Sequence, residues 1–197
     1  TPVQTSTEFP STTSVVIIGG GIVGLTAALT LIERGISVTV LEKGRIAGEQ
    51  SSRNLGWIRK TSRSAEDVPL AQTSDRLWKE MPERVGGDVG YRQAGIMFVA
   101  RDQAQMAAHE NWLNSVKHLD LDSRLLSNKE ISNLVPQGQG NWAGGIFTAS
   151  DGRAEPTLAS SAIARAAIAK GAVIIENCAV RNLVLTGGKV SGVYTEK

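Results

Sequence analysis

The feature that most restricts the fold of this chain is a run without charged side chains, from position 15 to position 32. Its length alone would suit a membrane-spanning helix. Four glycines interrupt the run, however, and a block of valines and isoleucines precedes them. Glycine opposes a continuous helix, whereas β-branched side chains favour a strand. The run therefore predicts a strand, a tight turn and a buried helix, and it does not predict a transmembrane segment.

The residues on either side extend this prediction to a β-α-β unit. We expect strands over 14–18 and 37–41, and a helix over 22–34 that ends before Gly35. Two parallel strands joined by a helix require a right-handed crossover, which is typical of a doubly wound sheet. The predicted fold class is therefore α/β.

The turn itself matches the pattern G-x-G-x-x-G. Gly19 permits a sharp turn out of the strand, Gly21 lets the backbone approach a pyrophosphate, and Gly24 lets the helix pack closely on the strand. The pyrophosphate would then lie on the free N–H groups at the start of the helix, at Ile22 and Val23. The alternative is a tight turn with a purely structural role.

An acidic residue ends the second strand at the distance that a nucleotide site requires. Glu42 follows Gly19 by 23 positions, close to the spacing of about 20 residues expected for a carboxylate that binds ribose hydroxyls. Such a carboxylate disfavours the phosphorylated ribose of NADP. This pattern does not separate FAD from NAD, and a solvated strand end remains the alternative for Glu42.

Composition excludes several other classes of protein. The 21 Lys and Arg against 19 Asp and Glu give a net charge of +2, without the clustered basic residues of a nucleic-acid binder. Two histidines and one cysteine oppose a zinc site and an internal disulfide, so we expect no metal. A cytoplasmic location is favoured, while export and peripheral membrane association stay open.

The rest of the chain predicts an alternation of helices and strands. We expect a helix over 70–79 that ends near Pro82, and a second that starts at a cap at Asp102 and runs to 118. A third should start at a capping box formed by 127 and 130 and stop at Pro136, and a fourth should span 156–170. Strands are expected over 91–100, 142–147 and 172–175, and a hairpin over 180–185 and 189–194. The β-α-β unit and residues 172–194 are predicted to form one nucleotide-binding layer.

Three further segments resemble one known family. They are 42–57, rich in Gly and Ser, 151–156 before an Ala-rich helix, and 171–195. From about residue 14 to the end, the chain resembles the FAD-dependent amino-acid and amine oxidoreductases of the D-amino-acid oxidase, glycine oxidase and sarcosine oxidase group. The resemblance implies a Rossmann-like FAD-binding layer with an inserted α+β substrate region, incomplete in this chain.

The resemblance also implies which residues bind FAD. Ser51 and Ser52 should hydrogen-bond the pyrophosphate or the ribityl chain, and the backbone of Val180 should meet the adenine. Since no histidine lies between 44 and 60, we expect non-covalent FAD. The full set of predicted cofactor contacts is Gly19, Gly21, Ile22, Val23, Gly24, Glu42, Lys43, Ser51, Ser52, Arg53, Asn54, Gly56, Trp57 and Val180, of which Asn54, Gly56 and Trp57 should lie beside the isoalloxazine.

No catalytic residue is assigned, but Arg59 and Trp57 are candidates. Arg59 and Lys60 would lie near the flavin ring, where positive charge stabilises reduced anionic flavin. Structural alternatives stay open: Ser51 and Ser52 could be ordinary loop residues, and Trp57 could be a core residue. For Lys60 we favour the alternative, in which it is a solvated cation. Structural or solvated roles are also predicted for the remaining polar side chains considered, namely Tyr91, Arg92, His109 and His118, while Cys178 is expected to be small and buried.

The predicted organisation is an N-terminal arm (1–13), the first part of an FAD-binding domain (14–90), part of a substrate domain (91–147) and the second part of the FAD-binding domain (148–197). Because family members are longer, we expect the rest of the fold outside this chain, with a second polypeptide as partner in a hetero-oligomer.

The predicted reaction is oxidation of a small-molecule substrate, an amino acid or a secondary amine, by hydride transfer to the flavin N5, which yields an imine. Electrons would pass to O₂ or to a carrier. The alternatives are an NAD-dependent dehydrogenase and a non-catalytic dinucleotide-binding subunit.

Overall fold

A computed structural model of the chain describes residues 2–138 and 140–197. The described strands are β1 (Val15–Ile18), β2 (Val38–Leu41), β3 (Trp57–Ile58), β4 (Ile96–Ala100), β5 (Ser123–Leu126), β6 (Gly144–Thr148), β7 (Gly152–Arg153), β8 (Val173–Ile175), β9 (Val180–Thr186) and β10 (Lys189–Thr195). The described α-helices are α1 (Ile22–Glu33), α2 (Val68–Val85), α3 (Gln103–Ser115), α4 (Asn128–Leu134) and α5 (Pro156–Ala169).

The chain forms two compact units. Unit 1 contains the residues up to Leu55, Pro82–Gly90 and Glu155–Lys197, and unit 2 contains Gly56–Met81 and Tyr91–Ala154. The division differs from the predicted domain limits because 56–81 groups with 91–154. The reason is local pairing, since β3 forms an antiparallel ladder with β7.

Unit 1 is built on a parallel sheet with the strand order β1-β2-β8. Helices α1 and α5 pack against each other and against these strands, and they bury Leu25, Leu29 and Ile163 completely. This arrangement confirms the predicted β-α-β unit and the α/β class. None of the helices in the described ranges combines the length and the apolar character needed to cross a lipid bilayer.

The C-terminal hairpin covers a second hydrophobic cluster of unit 1. Strands β9 and β10 pair with each other and form their own two-stranded sheet, so within residues 172–194 only β8 joins the parallel sheet. Val180 and Val193 of the hairpin pack on buried Leu41, Ile175 and Cys178. The N-terminal arm follows the β8 edge, where the Ser6 N–H donates to the Ile174 carbonyl at 2.8 Å.

Unit 2 contains an antiparallel sheet with the order β4-β6-β5, on which α3 and α4 pack. The Asp102 cap and the capping box of Ser127 and Glu130 are both present as predicted. Strands β3, β5 and β7 were not predicted, because two to four residues of mixed polarity carry too little periodicity. The strand expected over 91–100 is confined to β4, and Tyr91 precedes it.

The prediction for α2 is wrong at its C-terminal end. The helix continues through Pro82 to Val85 and ends at Gly86, which has a φ of +64°. A proline in the last turn removes only one backbone hydrogen bond, and its fixed φ suits a helix. The left-handed glycine, rather than the proline, therefore stops the helix.

Candidate functional site

The glycine turn of unit 1 joins β1 to the start of α1 in a conformation that side chains would prevent. Gly19 has a φ of +106°, a region that favours glycine, and its N–H donates to the Leu41 carbonyl at 2.9 Å. A Cβ added at Gly24 would lie 2.1 Å from the Gly19 carbonyl oxygen. The turn therefore brings the first turn of α1 directly against the end of β1.

The N-terminus of α1 presents a backbone surface beside this turn. Gly21 is the N-cap of the helix and has no side chain to cap it. A Cβ at Gly21 would lie 3.0 Å from the Ser51 Oγ. Since the first N–H groups of a helix have no intrahelical partners, this surface suits an anionic group.

Glu42, at the end of β2, is tied to the same turn. Its Oε2 accepts from the Gly20 N–H and its Oε1 accepts from the Gly44 N–H, both at 2.7 Å. The residue is 8% exposed, which makes the predicted alternative of a solvated strand end wrong. A carboxylate offers about four acceptor sites, so two remain for ribose hydroxyls.

Ser51 reaches the glycine turn from a distant part of the sequence. It lies in a short 3₁₀ helix, Gln50–Ser52, and its Oγ accepts from the Ile22 N–H at 2.8 Å. Because the hydroxyl accepts there, its own proton is available to a phosphate oxygen. The alternative that Ser51 is an ordinary loop residue does not explain this contact. The neighbouring Ser52 differs, since its hydroxyl donates to the nearby Glu49 carbonyl.

The structure distributes the other predicted contacts unevenly. Asn54 donates to the Gln50 and Ser51 carbonyls, and exposed Lys43 pairs with Glu49. Arg53 is exposed, and Val23 is 80% exposed on the first turn of α1. Val180 starts β9, while Gly56 and Trp57 belong to unit 2. Within unit 1, Gly19–Gly24, Glu42 and Ser51 thus come together around one turn.

This arrangement suits the pyrophosphate and ribose of a dinucleotide. The turn has no side chain at Gly21 where a phosphate would approach, Ser51 can donate a hydrogen bond, and Glu42 can accept two. The surrounding loop is held in place, since the Ala47 N–H donates to the Gly20 carbonyl at 3.0 Å.

Unit 2 contains a separate cleft of about 360 Å³ with a cationic and aromatic lining. Arg59 and Arg63 contribute the positive charge, and Trp57 and Trp78 contribute indole rings. Trp57 is 44% exposed, so the alternative of a core residue is wrong, and its ring meets Phe98 edge-on at 5.5 Å. The Arg59 guanidinium lies over the same Phe98 ring at 5.3 Å.

Burial and charge repulsion both act on Arg59. Burial lowers its pKa, and the nearby Arg63 lowers it further, while Asp151 raises it. Two guanidinium groups at one cleft favour an anion, because an anion would offset their mutual repulsion. Asp67 also lines the cleft, so its lining is not purely cationic.

The prediction that Lys60 is a solvated cation is wrong. Only 3% of the residue is exposed, and its Nζ lies 2.9 Å from Asp75 Oδ2 and 3.2 Å from Asp151 Oδ1. The Tyr91 hydroxyl also donates to Asp75. The pKa of Tyr91 is raised to about 12, mainly by burial and secondly by the charge of this carboxylate and the hydrogen bond to it. Two buried carboxylates neutralise this ammonium, so it offers little charge to a flavin.

Asp75 and Asp151 were missed by the sequence analysis as partners of Lys60. Asp75 lies seven positions after Val68 on the buried side of α2, so a lone acid in an apolar stripe was the available signal. For Asp151, which precedes Gly152 and Arg153, the sequence contains no comparable periodicity.

Three other predictions for single residues have clear outcomes. Cys178 is fully buried and His118 is exposed, as predicted. His109 is not simply solvated: burial lowers its pKa, and its buried Nε2 has no hydrogen-bond partner within 2–138 and 140–197.

Comparison with known proteins agrees with this geometry. The family model described as FAD dependent oxidoreductase matches residues 14–197. Mitochondrial sarcosine dehydrogenase of Mus musculus is 30% identical over 92% of this chain and 20% of the relative. Sarcosine oxidase subunit beta of an Arthrobacter species is 30% identical over 93% of this chain and 47% of the relative.

A solved structure extends the similarity to three dimensions. The L-amino acid deaminase from Proteus myxofaciens, in complex with anthranilate, superposes with a TM-score of 0.91 at 37% identity, over 98% of this chain and 44% of the deaminase. The chain thus spans less than half of the length of each of these proteins. The family match over residues 14–197 shows that the chain belongs to the FAD-dependent oxidoreductase family.

Proposed function

We propose that this chain is the FAD-binding N-terminal portion of an oxidoreductase that oxidises an amino acid or a secondary amine. The observation that carries the proposal is the convergence of Gly21, Ser51 and Glu42 on one strand-to-helix turn. The names of the relatives, which concern sarcosine and L-amino acids, support the substrate class.

In unit 1, the turn and the start of α1 hold the pyrophosphate through the helix dipole and through backbone N–H groups other than that of Ile22, which donates to Ser51. Ser51 donates its hydroxyl proton to a phosphate oxygen, and Glu42 accepts from ribose hydroxyls with its two remaining acceptor sites. The remaining predicted contacts of unit 1, which are Lys43, Ser52, Arg53, Asn54 and Val180, complete its part of the binding surface. The cofactor is held without a covalent bond.

FAD bound at this site would supply the acceptor for a hydride from the carbon that carries the amine. The amine loses a proton, the product is an imine, and water hydrolyses it to a carbonyl compound and ammonia, or a primary amine where the substrate is a secondary amine. The chain contributes positioning and charge, and within unit 2 we propose Trp57 and Arg59 as the residues that contact the substrate. Electrons leave to O₂ or to an electron carrier.

The cationic cleft of unit 2 supports a substrate that bears a carboxylate. Arg59 and Arg63 would both be stabilised by one carboxylate, and the indoles of Trp57 and Trp78 offer apolar contact for a side chain. Since the relatives are much longer than this chain, further polypeptide completes the active enzyme. One relative is named as a subunit, which supports an assembly with at least one further chain.

The first experiment measures cofactor identity in the whole protein that contains this chain. Purified protein is stripped, reconstituted with FAD or NAD, and its visible absorption and calorimetric Kd are recorded. We expect tight FAD binding, release of the flavin by acid precipitation, and weaker binding in Ser51→Ala and Glu42→Gln variants. Binding of NAD without FAD would instead support the alternative dehydrogenase.

A second experiment separates an enzyme from a non-catalytic FAD-binding subunit. The FAD-loaded protein is mixed anaerobically with sarcosine and a panel of L-amino acids. Bleaching of the flavin absorption by at least one of them is expected. A stable spectrum with every amine tested would contradict the enzymatic proposal and favour the binding subunit.

A further inference from the structure

A buried charge cluster underlies the cationic cleft of unit 2. We define the Lys60 cluster as Lys60, Asp75 and Asp151, which are 3%, 5% and 0% exposed. The ammonium lies 2.9 Å from Asp75 and 3.2 Å from Asp151, and it also donates to the Ser150 carbonyl at 3.2 Å. Buried ion pairs seldom add net stability compared with apolar side chains of similar size. Their presence therefore calls for a role beyond stability.

Asp151 connects this cluster to the backbone that carries Arg59. Its Oδ1 accepts from the Lys60 N–H at 2.8 Å, and its Oδ2 accepts from the Thr61 N–H at 3.2 Å and from the Thr61 hydroxyl. The Thr61 carbonyl in turn accepts a hydrogen bond from the Arg59 guanidinium. The Asp151 carboxylate thus holds Thr61 in place, and Thr61 is the residue to which the Arg59 side chain is hydrogen-bonded.

The backbone on the other side of Arg59 is held as well. In the ladder between β3 and β7, Ile58 pairs with Gly152, the residue after Asp151. Strand β3 ends at Ile58, and of the two cations that follow it, Lys60 is buried while Arg59 lies over Phe98 at the cleft. Two adjacent cations therefore have opposite environments.

Only one of those cations is neutralised by carboxylates. Lys60 lies between two of them, whereas Arg59 has no carboxylate within ion-pair distance in the part of the chain that the structure describes. The neighbouring Arg63 is exposed and lines the same cleft. The positive charge of Arg59, which Asp151 offsets only from beyond ion-pair distance, therefore faces the cleft together with that of Arg63.

We infer that the Lys60 cluster is a positioning unit for Arg59, which holds the guanidinium in the cleft where it binds a substrate carboxylate. This inference rests on the proposed function, because it assigns the cluster to the proposed carboxylate site. The cluster touches no substrate itself and acts through Thr61 and the β3–β7 ladder.

The test compares a carboxylate probe with its uncharged amide in the FAD-loaded whole protein. Benzoate and benzamide are titrated by calorimetry into wild type, Arg59→Gln and Asp151→Asn. The Asp151→Asn variant keeps the side-chain shape and leaves Lys60 paired with Asp75, but it replaces one acceptor by an NH₂ group that faces the Thr61 N–H. We expect the Kd for benzoate to rise at least about fivefold, equivalent to about 1 kcal/mol, while the Kd for benzamide stays within about twofold.

A second variant keeps the test decisive if Asp151→Asn does not fold. Lys60→Met combined with Asp75→Asn removes one buried charge of each sign, and the same selective loss of benzoate binding is expected. The matched control is Lys79→Met, because Lys79 pairs with the same Asp75 at 3.3 Å but is 43% exposed. The control should bind both probes as wild type does.

The outcomes separate this inference from the proposed function. If Arg59→Gln binds benzoate like wild type, the proposed carboxylate site is wrong and the inference fails with it. If Arg59→Gln loses benzoate binding but a folded cluster variant keeps it, only the positioning role is wrong. Equal losses for benzoate and benzamide would indicate a general structural defect and would also overturn the inference.

Discussion

Replacing Gly24 by alanine should damage both the fold of unit 1 and its cofactor site. The new Cβ would lie 2.1 Å from the Gly19 carbonyl oxygen and 3.1 Å from Ile17 Cγ2, whereas real Cβ contacts closer than 3.0 Å are essentially never seen. The first obstacle is backbone, so α1 itself must move by almost 1 Å. Overpacking of this kind costs typically about 1–3 kcal/mol, and we expect about 3 kcal/mol because no flexible side chain can yield.

The same displacement moves the α1 N-terminus away from the pyrophosphate. If the energy lost from FAD binding is about 3 kcal/mol, the Kd for FAD rises by about two orders of magnitude. Urea unfolding of the apoprotein measures the stability term, and calorimetric titration with FAD measures the affinity term.

Gly192→Ala is the matched control for Gly24→Ala. Its added Cβ would meet only Val184, at an ordinary contact distance of 3.7 Å. The control should therefore change the free energy of unfolding by less than about 1 kcal/mol and leave FAD affinity unchanged. If Gly24→Ala unfolds and binds FAD like this control, the close-packing argument for the glycine turn is wrong.

Three smaller predictions follow from single contacts. Ser51→Ala should destabilise the apoprotein by about 1 kcal/mol in urea unfolding, because the Ile22 N–H loses its acceptor; unchanged stability would argue against that bond. Backbone and side-chain hydrogen bonds in the α4 capping box lower the pKa of Glu130 to about 2 from 4.5, so its stabilisation is present above pH 4.5 and is lost as the pH falls towards 2. Urea unfolding from pH 2 to 6 should show this loss in wild type and not in Glu130→Gln. The pKa of Tyr91 is raised from 10 to about 12, so stability should fall between pH 10 and 12, and Tyr91→Phe, which removes the bond to Asp75, should lack that fall.

The sequence was most informative where local conformation and function impose the same residue types. The strand, the glycine turn and the helix of 15–33 could be predicted because β-branched residues, glycines and an apolar stretch follow one another directly. The caps at Asp102 and Ser127 were predictable for the same reason, since each bonds a backbone N–H within three residues. Short-range chemistry of this kind is visible in any single sequence.

Contacts between distant positions were predictable only with the help of the family resemblance, or not at all. Ser51 meets Ile22 across 29 positions, and the resemblance placed it near the pyrophosphate without giving its partner. The Lys60 N–H donates to Asp151, which lies 91 positions further along the chain. The residues around Lys60 in the sequence do not distinguish it from a surface lysine. That prediction failed because burial depends on the strand β7 that pairs with β3, and β7 has only two residues.

The sequence by itself determined the α/β class, the position of the dinucleotide turn and the acidic residue that ends β2, because each depends on backbone conformation or regular spacing within about 30 residues. Tertiary structure alone decided which of two adjacent cations is buried, which carboxylates neutralise it, and that Arg59 and Arg63 share a cleft with two indoles. The physical reason is that the environment of a charge is set by elements far away in the chain, so the same Arg-Lys pair would be solvated on another strand.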